Sequence, residues 1–195
     1  EMLSTNVCLV GWSPLMASAF RKKLLNAGKV REVGCSNFSA DQLREAEEAT
    51  RQGAAQFASV QNEYSLLHRD PERDVIPECR RIGLAFIPYF PLASGLLSGK
   101  YRRGKPAPEG SRLASGWHGE LFNDWNLDIV ESLIEFAESR GRTLLELAVS
   151  WLASHDVVAS VIAGATSAAQ VRANAKAAGW RLTAQEMAEV DAIVG

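Results

Sequence analysis

The chain has 195 residues, 47% of them hydrophobic, enough to bury a substantial core in one domain and few for two. Lysine and arginine number 21 against 23 for aspartate and glutamate, a net charge of −2 without long like-charge blocks, which argues against nucleic acid or an anionic membrane as partner. Cys8, Cys35 and Cys79 lack metal-ligand spacing and no apolar run approaches the roughly 20 residues of a membrane helix, so a cytoplasmic protein with reduced thiols is expected.

In chain order, "NVCLVGWSPLMASAF" reads as an apolar strand, a turn and a helix. The pattern strand, glycine, Trp12, Ser13, helix has some likeness to a nucleophile elbow, with Ser13 as a hydrolase nucleophile. Leu15 stands where that motif needs its second glycine, and Pro14 has no N–H to offer an oxyanion, so an N-cap serine followed by proline is the preferred reading. Further strands are expected at residues 30–37, 57–65, 84–92 and 157–164. Between them Ser39 caps a helix from Ala40 that Gly53 stops, and a second helix runs from near Pro71 to Gly83. After "LAFIPYFPL" comes "SGKYRRGKPAPEGSRLASGW", a loop rich in Gly, Pro and cations that is either disordered or folded over a ligand. The helices "NLDIVESLIEFAESRG" and "TLLELAVSWLASH" follow, the latter with Thr143 and Glu146 at capping-box spacing, which Thr183 and Glu186 repeat in the last helix. A helix at 168–178 lies between them. Apolar strands alternating with helices imply a parallel sheet covered by helices, the α/β class.

In that class ligands bind beyond the carboxyl ends of the strands. Those ends carry Ser36 and Asn37, then Gln61, Asn62 and Glu63, then Tyr89, and finally Gly164 with Thr166 and Ser167. Amides and hydroxyls suit hydrogen bonding to a carboxamide or a phosphate, although each alone is as readily a strand or helix cap.

The segments "GKVREVGCSNFS", "QNEYSLLHR", "IPYFPLASGLLSGKY" and "VIAGATSAAQVRANAKAAGWRLTAQEMAEVDAI" resemble, in order, successive signatures of the aldo-keto reductase family, from about Ala27 to the end, with residues 1–26 diverging. The resemblance implies the C-terminal half of a (β/α)8 barrel, one domain, and an NADP(H) site, with NAD(H) as the alternative. Carried over by position, Ser36, Asn37 and Gln61 would hold the nicotinamide carboxamide and Tyr89 would stack on its ring. Pro91, Leu92, Ser94, Gly95, Leu97 and Lys100 would cover the pyrophosphate. Gly164, Thr166 and Ser167 would receive the adenosine phosphate at a helix N-terminus, and Gln170 and Asn174 the adenine. Thr166 stands where many NADP-preferring members carry a cation, and Phe90 replaces a serine.

The family's catalytic aspartate, tyrosine, lysine and histidine lie on the first half of its barrel, so this chain is expected to bind cofactor without self-sufficient reductase chemistry. Tyr64, Tyr101 and the three histidines show no substitute arrangement, and no metal site is expected. The rival readings are an oxidoreductase completed by another polypeptide, a hydrolase using Ser13 or Ser94, and a non-catalytic interaction module. A half barrel leaves edges and an inner face open, with Val33, Val60, Phe86, Ile87, Val161 and Ile162 as candidate lining, so a homodimer is expected.

Overall fold

The computed structural model describes the backbone of residues 7–8 and all of residues 23–116 and 118–195. Ser13, with Gly11 and Trp12, lies outside the described residues. The strands β1 (Val7–Cys8), β2 (Val33–Ser36), β3 (Ser59–Glu63) and β4 (Ala85–Tyr89) form one sheet in sequence order, with β1, β2 and β3 parallel. After a helical stretch at 23–26, the described helices are α1 (Ala40–Arg51), α2 (Val75–Ile82), α3 (Asp124–Glu138), α4 (Leu144–Ala153), α5 (Ala168–Ala177) and α6 (Ala184–Val194). This is the expected α/β class.

Two compact units divide the chain: Glu1–Glu63 with Asp70–Ile87, and Tyr64–Arg69 with Pro88–Gly195. In the first, Ser39 and Gln42 cap α1 reciprocally, and Leu43, Ala46 and Ala49 recur at helical spacing on its buried face. Phe38 meets Phe57 edge to face at 5.7 Å. Gly34 has no side chain for a physical reason: a Cβ there would lie 2.6 Å from Ser59 Oγ across the β2–β3 pair. Glu78 is buried at 7% exposure, and the Arg81 guanidinium bonds both its oxygens and holds its carboxyl below the usual range. Cys35 and Cys79 are buried thiols, and burial pushes the Cys79 thiol up to about 12.

The helix expected from Pro71 to Gly83 starts later. Asp70–Glu72 form a single 3-10 turn and α2 begins at Val75. Pro77 explains the delay, because a proline without an N–H is tolerated in a first helical turn and would break a helix that began six residues earlier. Gly83 closes α2 in the left-handed conformation at φ 67.

In the second unit α3 and α4 supply most of the core, including Leu133, Leu147, Trp151 and Leu152. The expected capping boxes at Thr143 with Glu146 and at Thr183 with Glu186 are both formed. Ser150, wholly buried, donates to Ala177 O at 2.8 Å and accepts from Trp180 N–H at 3.1 Å, which ties α4 to the end of α5. Segment 64–69 is anchored by Tyr64, whose hydroxyl lies 2.9 Å from His155 Nε2, while His155 Nδ1 reaches Trp151 O at 2.9 Å. That pattern makes Nδ1 the protonated nitrogen and Tyr64 the donor to Nε2.

The strand expected at 157–164 is reduced to isolated bridge residues, Val158 and Ile162, the latter pairing in parallel with Tyr89 and donating its N–H to Pro88 O at 2.9 Å. In a regular parallel ladder residue 88 would also donate its own N–H to this neighbour, and proline has none. Of the expected barrel lining, Val33, Val60 and Phe86 are instead buried, because strand alternation turns them to the covered face. Ile87 and Val161 are half-buried and Ile162 is 44% exposed.

Candidate dinucleotide-binding residues

At the carboxyl end of β2 the Ser36 hydroxyl donates to Gln61 O at 3.1 Å, and Asn37, at φ 58, donates its N–H to the same oxygen at 2.8 Å. The three residues singled out in the sequence therefore meet within the first unit. Asn37 is exposed, and Ser36 and Gln61 are half-buried. Asn62 donates to Phe38 O at 3.0 Å and leaves a buried Oδ1 without a hydrogen-bond partner. An orphaned carboxamide oxygen beside an amide-rich strand end is an acceptor that a bound donor or water would satisfy.

The remaining residues lie in the second unit. Tyr89 is half-buried at the end of β4. Past it Phe90, Ala93, Ser94 and Gly95 all take positive φ, and the turn is held by Ala93 N–H donating to Phe90 O at 3.1 Å and Gly95 N–H to Leu92 O at 2.8 Å. A Cβ on Gly95 would lie 3.5 Å from Lys100 Nζ, which places that ammonium beside the turn. Pro91, Ser94 and Leu97 are buried and Leu92 is half-buried, so the backbone and Lys100 are what this loop offers a ligand. Ser94 Oγ is buried without a hydrogen-bond partner and so lacks the base a nucleophile needs.

Gly164, Thr166 and Ser167 are exposed at the start of α5. Ser167 caps the helix by accepting from Gln170 N–H at 3.2 Å, and the Gln170 carboxamide accepts from Thr166 N–H at 2.7 Å. Gln170 thus bonds back to the helix start, one helical turn before Asn174. Asn174 lines a cleft with Val149, Val158, Val161 and Ala175.

One residue emerges only from the structure. A Cβ on Gly164 would sit 3.8 Å from Arg112 Nη2, so the guanidinium reaches the start of α5 from the long loop. The sequence shows that loop to be rich in cations without ranking them. Arg102 binds Glu131 and Glu138 and Arg103 binds Asp128, all on α3, whereas Arg112 reaches Gly164. Among the described residues no cluster of metal-ligating side chains occurs and no helix is long and apolar enough to cross a membrane.

The signature of the Aldo/keto reductase family matches residues 14–194, reaching back into the segment expected to diverge. L-glyceraldehyde 3-phosphate reductase of Escherichia coli (strain K12) is 30% identical over 174 residues, 86% of this chain and 50% of that protein. Aldo-keto reductase dtxS3 of Metarhizium robertsii is 37% identical over 134 residues, 66% of this chain and 35% of that one. The glycerol dehydrogenase AKR11B4 from Gluconobacter oxydans superposes with a TM-score of 0.79 at 28% identity, covering 96% of this chain and 56% of its own. The chain spans about half the length or less of the curated relatives it matches. On the match over residues 14–194, the chain belongs to the aldo/keto reductase family.

Proposed function

We propose that this chain binds a nicotinamide dinucleotide, NADP(H) in preference to NAD(H), and serves as the cofactor-binding part of an oxidoreductase. The observation that carries the reading is the approach to α5: Gly164 with the Arg112 guanidinium beside it, followed by the helix N-terminus that Ser167 caps. Backbone N–H groups and the helix dipole favour an anion there, and a guanidinium bonds a phosphate through a planar fork. Arg112 thereby supplies the cation that Thr166 does not. Ser36, Asn37, Gln61 and Tyr89 are assigned the nicotinamide, and Gly95 with Lys100 the pyrophosphate.

A polypeptide of these 195 residues is expected to bind NADPH in a fluorescence titration and to reduce no aldehyde at the rates on the order of 10 s⁻¹ typical of enzymes. Absence of binding would sink the cofactor assignment, and rapid turnover would reveal a proton donor among its own residues.

The same polypeptide is proposed to form a homodimer. Ile162 and Val171 are 44% and 57% exposed beside a cleft of about 450 Å³ lined by Val149, Ala153, Val158, Val161 and Ala163. Protruding aliphatic side chains beside a cleft that mixes valines and alanines with Ser160 and Asn174 form a surface that a second copy would bury. Sedimentation at micromolar concentration should give a dimer that Ile162→Asp shifts toward monomer, and a monomer in the unsubstituted protein would refute it.

A further inference from the structure

The first unit holds a hollow that the cofactor reading does not use. It lies between α1, the turn from α2 to β4 and the residues leading into β3, and its volume is about 230 Å³. The walls are apolar: Leu43 and Ala46 from α1, Phe57 before β3, Ile82 at the end of α2 and Leu84 before β4. Leu43, Ala46 and Thr50 share one face of α1 because they are three and four residues apart. Just past that helix Gly53, at φ 94, turns the chain back, and Gln56 and Phe57 close the hollow beside it.

Glu47, Thr50, Arg51 and Gln56 form the rim. The charges there are already matched. Arg51 bonds Glu47 at 2.9 Å and Glu48 at 3.1 Å, and Glu47 also bonds Arg81. A charged ligand would have to break one of these pairs or leave water without gaining a partner, and both are costly. Hydrogen bonding is what the rim still offers. The Thr50 hydroxyl donates to Ala46 O at 3.0 Å and keeps its oxygen as an acceptor. Gln56 is exposed, with a carboxamide that both donates and accepts.

We propose that this hollow binds a small uncharged compound of one or two fused rings, carrying one hydroxyl or ring N–H that donates to Thr50. Size sets the number of rings. An apolar cavity of about 150 Å³ takes benzene, so this larger one has room for a second ring and none for a dinucleotide. Phe57 gives the ligand an aromatic wall, and burial of its rings against Leu43, Ile82 and Leu84 is the driving force. The proposal stands apart from the cofactor reading. Gln56 and Phe57 precede β3, whereas Gln61 and Asn62 lie toward its other end.

Indole, indole-3-acetate and tryptamine share one ring system and differ in charge, so together they test the reading. Indole should shift the amide NMR signals of residues 43–57 and 82–84 with a Kd of about 1 mM or tighter. The anion and the cation should bind at least about tenfold more weakly. Thr50→Val should weaken indole about two- to tenfold, the loss of one hydrogen bond. Ala46→Leu extends a side chain into the hollow and should abolish binding, with a thermal melt no lower than that of the unsubstituted protein showing that the variant is folded. No shift with indole at about 2 mM overturns the proposal, as do shifts centred on other residues. Equal affinity for the charged analogues overturns it too, and so does undiminished binding by the folded Ala46→Leu variant. Unchanged affinity in Thr50→Val overturns the assignment of its hydroxyl.

Discussion

Replacing Trp151 by alanine is expected to lower stability by about 3–5 kcal/mol. The indole is wholly buried, 5.1 Å from the Tyr64 ring and 4.6 Å from the His155 ring, with the Arg69 guanidinium 5.3 Å away on its face. Alanine leaves a void that α4 cannot close, since its own backbone is pinned through Ser150 to Ala177. It also removes the surface on which segment 64–69 rests. For a domain stable by about 5–15 kcal/mol that is a large fraction, and the melting temperature should fall by roughly 10 °C. Trp151→Phe is a control, because the indole N–H has no hydrogen-bond partner to lose. It should recover more than half of the loss in a thermal melt followed by circular dichroism. A fall of under about 3 °C for the alanine variant would mean that the cluster around Trp151 does not hold this unit together.

Removing Arg112 is the substitution with the largest expected effect on ligand binding. Its guanidinium stands beside Gly164 at the start of α5. A hydrogen bond from a charged group is worth about 1.5–3 kcal/mol, so Arg112→Ala should weaken NADPH by roughly ten- to a hundredfold. NADH, without the additional phosphate, should lose less than about threefold. Arg112→Lys should restore part of the NADPH affinity, since an ammonium supplies the charge without the bidentate fork. The losses should shrink as salt rises, because the site is exposed. Equal losses for both dinucleotides would move Arg112 away from the distinguishing phosphate, and no loss for either would remove it from the site.

Local features of this chain were legible in its residues wherever the physics is local. A serine or threonine three residues before a side chain that can bond back stops a helix from fraying whatever the rest of the chain does, and Thr143, Thr183 and Ser39 begin α4, α6 and α1 as expected. Pro77 and Pro88 act just as locally but were passed over: α2 starts at Val75 rather than near Pro71, and Tyr89 meets Ile162 through an isolated bridge, each beside a proline that lacks an N–H. The α/β class follows from the alternation of such elements, and the family from four segments in order. Those properties depend on neighbours within a turn or a strand.

The tertiary structure alone decided which distant groups meet. Nothing near Tyr64 announces His155, 91 positions away, as its acceptor. The cations after β4 have no periodicity to rank them. Only the folded path of the loop commits Arg102 and Arg103 to α3 and brings Arg112 to Gly164. Likewise Gln170, spaced one helical turn from Asn174, turns back to Thr166, because an unpaired N–H at a helix start competes for its carboxamide. A loop without repeating pattern takes its course from the sum of its contacts, here Tyr101, Leu113 and His118 settling into separate places at once. Such a sum is a property of the assembled fold, and no single stretch of the sequence carries it.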